Sequence, residues 1–495
     1  MWGITKSAPW MPKEEVKTTM RDFIERARYD QRAFYTLFVL WLIAVLIALA
    51  MIVVAFSGGP KGGEAEAPQE VSGPTSAPAA PLLGGVTLAT AEPAPGDVAV
   101  QPSPPAPGEA QAESGGGAPP LLTAEPTSGD LRVGPPPFGY GIQVHGLIGD
   151  PRHTVGVVKD KLGLTWIKQQ VRWHDFSPAR GQMDWSGYDA IINAANEKGL
   201  RVMLSVVAAP EWAISYRDAN PEGAPPDNYQ DLADFLTALV QRYKGKIHAI
   251  EIWNEQNLDR EWDTAEGVNA ARYVEMLKVA SQAIRAQDPN IIIISGALSP
   301  TGANLTDPNN PNRVIVQDDF AYFQAMLQAG FLDWVDCVGA HHNGINLPPD
   351  VEWQDAPTHP KAATAIFRGP FDNPHRSWSF KSTIWGYRDL MQQFGQTKPI
   401  CVTEFGWASA EGWDTVPPGF EFAWDNSLQE QALYISRAYQ MLRESDFVWL
   451  AFLWNLDFAQ KDGIGPTDPN APYSILDFNG VPRPAFDVLS QMPKP

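Results

Sequence analysis

Residues 251–258 read EIWNEQNL. They lie at the end of an apolar run, Ile247 to Trp253, that stops abruptly at Asn254 and Glu255. This reads as a buried strand that delivers an amide and a carboxylate to its C-terminal tip. The pattern recurs about 150 residues later. Pro399 to Thr403 (PICVT) is another short, mostly apolar run, and it delivers Glu404 ahead of Phe405, Gly406 and Trp407. An Asn-Glu pair alone carries little information. A second Glu at a second strand tip makes the pattern specific.

Outward from this stretch, short apolar runs alternate with longer stretches of helical period. Strand candidates fall at 139–145, 166–173, 201–207, 247–254, 291–296, 337–341, 399–404 and 449–455. Helical stretches fall between them at 154–162, 187–198, 229–243, 267–286, 319–329, 380–394 and 428–443, and a last one at 485–492 closes the chain. Eight strands and eight helices in this alternation predict an α/β fold, a (β/α)8 TIM barrel with generous loops over residues 131–495. A doubly wound open sheet usually announces a Gly-rich phosphate turn after its first strand, and Gly139, Tyr140 and Gly141 do not form one. Barrel chemistry sits at the C-terminal ends of the strands. Glu255 ends strand 4 and Glu404 ends strand 7, facing each other across the mouth.

Two carboxylates so placed are what cleavage of a glycosidic bond needs. One protonates the leaving oxygen; the other attacks, or activates water at, the anomeric carbon. No cofactor is implied, because two carboxylates suffice. His341 and His342 invite a metal reading, but adjacent strand residues point to opposite faces and chelate poorly together. One is expected at the mouth and the other packed. Asp307 to Asn312 (DPNNPN) reads as a Pro/Asn turn rather than a calcium loop. Trp212, after strand 3, is left open between a sugar platform and core packing, whereas Trp253 is expected in the core.

The formal charge of −20 and pI near 4.8 argue against nucleic acid as a partner, since binding it needs a basic face. Eighteen Trp are many for this length, and sugar clefts use exposed rings as apolar platforms. There are two cysteines, Cys337 and Cys401. Counted by twos from His341 and Glu404, Cys337 points inward and Cys401 outward, so two unbridged apolar fillers are expected.

The first 137 residues differ in kind. Residues 1–32 hold seven Lys/Arg against five Asp/Glu. Residues 33–56 then run without a charge, about 36 Å as a helix and enough to cross a membrane core. Beyond them Lys61 is the only base until Arg132, which predicts a cytoplasmic N-terminus and an extracytoplasmic remainder. The expectation is therefore a single-pass protein of the cell membrane, anchored through helix 33–56. Residues 57–130 lack Phe, Tyr and Trp and carry 14 prolines between Pro60 and Pro126, the composition of a disordered linker.

The chain resembles the clan A glycoside hydrolases, most of all family 39, with family 5 next. The resemblance rests on VRWHDFSPARGQMDWSGYD at 171–189, AAPEWA at 208–213, EIWNEQN at 251–257, VGAHHNG at 338–344, VTEFGW at 402–407 and FLWNLD at 452–457. It implies Glu255 as acid/base and Glu404 as nucleophile of a retaining mechanism. It implies that Asn254 holds the sugar 2-hydroxyl, that Arg172 hydrogen-bonds the nucleophile, that His341 lines the site, and that Trp454 floors the subsite of the cleaved sugar. Two residues depart from the pattern. Gln256 stands where Pro is common, and Asn343 stands where a Tyr often contacts the nucleophile. The resemblance makes an oligo- or polysaccharide the expected substrate. The other readings are a non-catalytic glycan-binding barrel, a transglycosylase remodelling surface polysaccharide, and a scaffold that uses residues 1–32 as a partner site.

Overall fold

The computed structural model describes residues 138–216 and 223–494. The segments 1–32, 33–56 and 57–130 lie outside the described residues. Among the described residues no helix is long and apolar enough to cross a membrane.

Eight parallel strands form the barrel: β1 Gly139–Gln143, β2 Trp166–Arg172, β3 Arg201–Val207, β4 Ala249–Ile252, β5 Ile292–Ser295, β6 Val338–Gly344, β7 Ile400–Trp407 and β8 Val448–Leu453. Their hydrogen-bonded order is β5-β4-β3-β2-β1-β8-β7-β6. A parallel bridge between Ile294 and Cys337 joins the ends of this order and closes the ring. Strands covered on both faces read as continuous apolar runs, which is why these segments stand out in the sequence. Around them pack α1 Pro151–Gly156, α2 Ser186–Glu197, α3 Tyr229–Arg242, α4 Ala270–Gln287, α5 Asp319–Gln328, α6 Phe380–Gln393, α7 Leu428–Glu444 and α8 Pro484–Gln491. The sequence supplies the helix starts. Asn228, Asn269, Asp318 and Ser379 each cap a helix with a side-chain oxygen, and Ser427 with Glu430 forms a capping box.

The barrel interior is layered. Its floor is apolar: Trp166, Met203, Ala249, Ile294, Cys337, Cys401, Leu450 and Phe452. A Cβ on Gly141 would come within 2.3 Å of the Phe452 ring, so β1 needs glycine there. Two residues further along the strands the inward positions turn polar, with Lys168, Ser205, Glu251 and Thr403 all buried. The strand tips above them open to solvent.

One expectation fails here. Cys337 and Cys401 form a disulfide, with their Cα atoms 5.8 Å apart. β6 and β7 pair in step as far as Ala340 and Val402, then shift so that His341 lies opposite Glu404. Thr403 is the extra residue of a β-bulge, and counting by twos across a bulge gives the wrong face. Cys401 faces the axis, as Cys337 does.

A hairpin that sequence reading missed, Leu305–Asp307 and Asn310–Val316, follows β5. Its turn at Pro308 and Asn309 is the expected Pro/Asn turn. Leu258 bridges to Val316 and Gly267 to Val314, so the hairpin braces the loop that follows β4. Arg313 fixes it with ion pairs to Asp259 at 3.2 Å and Asp263 at 2.6 Å.

Candidate active site

The tip of β4 is bent where it meets the cleft. Trp253 and Glu255 both hold positive φ, 75° and 40°, on either side of Asn254. Such backbone costs on the order of 1–3 kcal/mol per residue and persists only when its surroundings over-determine it. They do here: Trp253 N donates to Val206 O at 2.9 Å, its indole Nε1 to Glu261 O at 2.6 Å, and Glu255 N to Ala297 O at 2.8 Å. The bend aims Asn254 and Glu255 together into a cleft of about 580 Å³ at the barrel mouth. Asn254 Oδ1 is buried with no hydrogen-bond partner among the described residues, an acceptor ready for a hydroxyl.

Glu404 reaches the same cleft from β7. Lys168 Nζ donates to its Oε1 at 2.8 Å, and Asn343 Nδ2 donates to its Oε2 at 3.2 Å. Between the two carboxylates stands the fully buried imidazole of His341, with Nδ1 3.2 Å from Glu255 Oε1 and Nε2 3.8 Å from Glu404 Oε1. Beneath, Glu251 pairs with Lys168 at 3.4 Å and accepts from Thr403 Oγ1 at 2.6 Å. Arg260 completes the group with a charged hydrogen bond to Glu255. With His341 protonated, three carboxylates (Glu251, Glu255, Glu404) meet three cations (Lys168, Arg260, His341).

The protonation states follow from this balance. Burial opposes charge on Lys168, but Glu251 and Glu404 outweigh it and raise its pKa. The same holds for His341: burial disfavours the cation, while Glu404, Glu255 and Glu251 raise the pKa overall. Burial would push the Glu255 carboxyl up, yet Arg260 and His341 hold it down at about 2. Glu261, on the same loop, is pushed up to about 7, chiefly by burial and with help from the charge on Glu255.

The expected residues sort as follows. Glu255, Glu404, Asn254, Arg172 and Trp454 all line the one cleft, with His341 immediately behind the carboxylates. Trp454 shares an aromatic wall with Phe420, Phe458 and Tyr473. One expectation needs correction, and the open reading of Trp212 resolves toward packing. The cation on Glu404 is Lys168, two pleats deeper in β2; Arg172 sits at the rim, about a third exposed, beside Asp175 at 3.4 Å and His174 at 3.0 Å. Trp212 lies outside the cleft, in a separate hollow with Trp173, Trp185 and Arg180, where its indole donates to Ser177 O at 2.8 Å. Sequence reading missed Lys168, Glu251, Arg260 and Glu261. A lysine inside the buried run WIKQQV was the one available signal. His342 is packed against Phe380 and Trp253 is core, both as expected.

Residues 140–318 match the family described as cellulase, glycosyl hydrolase family 5. Endo-1,4-beta-xylanase 3 of Hypocrea jecorina is 24% identical over 140 residues, 27% of this chain and 38% of that protein. Endo-1,4-beta-xylanase 1 of Gibberella zeae is 27% identical over 101 residues, 20% of this chain and 27% of that protein. The chain thus spans well under half the length of these curated relatives. A family 39 glycoside hydrolase from the gut symbiont Bacteroides cellulosilyticus WH2 shares the fold, with TM-score 0.50 and 21% identity over 72% of this chain and 63% of that one. By fold and by motif the chain is similar to the clan A glycoside hydrolases.

Proposed function

We propose that this protein is a retaining hydrolase of β-linked glycans, held at the cell membrane by residues 33–56 with its barrel outside the cytoplasm. The observation that carries the chemistry is the single imidazole of His341 in contact with two carboxylates, from β4 and β7, at an open mouth. In the first step Glu404 attacks the anomeric carbon while Glu255 gives its proton to the departing oxygen. In the second, Glu255 takes a proton from water, and the hydroxide equivalent releases the sugar from Glu404. Lys168 and Asn343 keep two donors on the nucleophile, so the absent Tyr leaves it oriented. Asn254 Oδ1 takes the sugar 2-hydroxyl, and Trp454 offers its ring to the sugar face. The Cys337–Cys401 disulfide supports the extracytoplasmic assignment, because such bonds persist in oxidising compartments.

The test is product release by the full-length chain from β-1,4-xylan, other β-linked polysaccharides and aryl β-glycosides, beside Glu404→Ala. Xylan leads the panel because the two relatives described above are named endo-1,4-beta-xylanases. Release by wild type alone, with the β-anomer formed first, is expected. Glycan binding without release by either chain would replace the reading with a binding barrel; sugar transfer in place of hydrolysis would make it a transglycosylase.

A further inference from the structure

The free site holds its acid/base in the wrong state for the first step. A general acid must carry a proton, yet Glu255 is ion-paired to Arg260 and ionised. The geometry around Arg260 shows a way out. Its side chain is 64% exposed, and its guanidinium lies between two carboxyls, bonded to Glu255 and with Nε 3.8 Å from Glu261 Oε1. The backbone that carries both heads is pinned. Glu261 N and Trp262 N donate to Leu258 O at 3.1 and 2.9 Å, Glu261 O accepts from the Trp253 indole, and Gly223 packs so closely on Arg260 O that a Cβ there would lie 1.8 Å from it. A short swing of one side chain on a fixed loop exchanges its partners.

We propose that Arg260 is a movable counter-ion that passes between Glu255 and Glu261, and that Glu261 stores the proton Glu255 needs for catalysis. This rests on the reading of Glu255 as acid/base. In the resting state of this scheme Arg260 sits on an anionic Glu255, as in the structure, and Glu261 carries the proton. In the working state Arg260 sits on Glu261, now anionic, and Glu255 carries the proton. One proton changes carboxyl as one cation changes partner, and net charge is conserved. Glu261 suits the task, since a carboxyl that loses its proton at about 7 is half-protonated at neutral pH. Arg260 acts through Glu255 and is a positioning residue. The charged and titratable groups around Glu255 are Arg260 and Glu261 from its own loop, Glu251 of β4, Lys168 of β2, His341 of β6, Glu404 of β7, and Tyr473 from the loop after β8. Of the three cations, Lys168 and His341 are fully buried, and Arg260 has the one largely exposed side chain.

The test is a carbon-13 NMR titration of the full-length chain labelled at the glutamate carboxyls, with Glu255→Gln and Glu261→Gln used for assignment. Arg260→Ala is expected to raise the Glu255 titration by roughly 1–3 pH units, the effect of removing an adjacent opposite charge. Glu255→Gln is expected to lower the Glu261 titration in the wild-type background, by removing a like charge and freeing Arg260 to pair with Glu261, and to lose most of that effect in the Arg260→Ala background. An unmoved Glu255 titration in Arg260→Ala overturns the proposal. So does an equal Glu255→Gln effect on Glu261 in both backgrounds, which would mean that Glu255 acts by its own charge alone. In aryl β-glycoside hydrolysis the alkaline limb of kcat/KM should move up with Arg260→Ala. A chain that titrates as described but hydrolyses nothing would reject the hydrolase reading and keep the shuttle.

Discussion

At the scale of the residue, the site depends on charges that cannot be removed singly. Lys168 is fully buried against Glu404 and Glu251. Lys168→Met leaves two carboxylates unpaired, and the expected loss of unfolding free energy is about 3–5 kcal/mol, read from denaturant melts. Asn343→Ala removes a hydrogen bond to a charged group, worth about 1.5–3 kcal/mol, so kcat/KM should fall roughly 10- to 100-fold with the fold intact by circular dichroism. His341 makes stability depend on pH. Its folded pKa lies above the ordinary 6.5, so the folded chain holds the proton more tightly than the unfolded one. That stabilisation is full below about 6.5 and is lost as pH rises through the folded value. Glu255 behaves oppositely: its folded pKa of about 2 lies below the ordinary 4.5, so its stabilisation is present above 4.5 and is lost as pH falls through 2. Comparing His341→Gln with wild type should show a stability gap that narrows above neutral pH; a gap independent of pH would mean that His341 does not titrate there. Glu255 and Glu404 were legible because they end apolar runs. Arg260 and Glu261 were not, because they sit in an irregular loop where nothing periodic marks a side chain's direction.

At the scale of the element, all eight strands and eight helices were legible, since a strand buried on both faces and a helix buried on one write their periods into the sequence. Irregular backbone was not. The bulge at Thr403 adds one residue without changing composition, and it reversed the predicted facing of Cys401. The hairpin after β5 pairs a three-residue strand with one whose apolar run is only Val314 to Val316, too short to announce a strand pair. Helix starts are testable directly. Ser427 donates and receives in the capping box of α7, whose inner face holds Ile435, Tyr439 and Leu442. Ser427→Ala should cost about 1 kcal/mol by thermal or chemical melting, with little change in activity.

At the scale of the whole molecule, the disulfide ties β6 to β7 at the barrel floor, across a sequence separation of 64 residues. The double change Cys337→Ala with Cys401→Ala is expected to lower stability by about 2–4 kcal/mol, measured by denaturant midpoint against the oxidised wild type. A midpoint unchanged by the double variant and by reductant would show that the bond contributes nothing. The layering of the barrel reaches further. Its floor of Trp166, Leu450, Phe452 and the cystine is apolar and buried, and Lys168 and Glu251 lie directly on top of it. The barrel is therefore a vessel with one opening. On the proposed function, a glycan seated in the mouth would cover the cleft side of Glu251, Lys168 and His341. Under such a cover, the proton transfers of the reaction would be made among the groups already there.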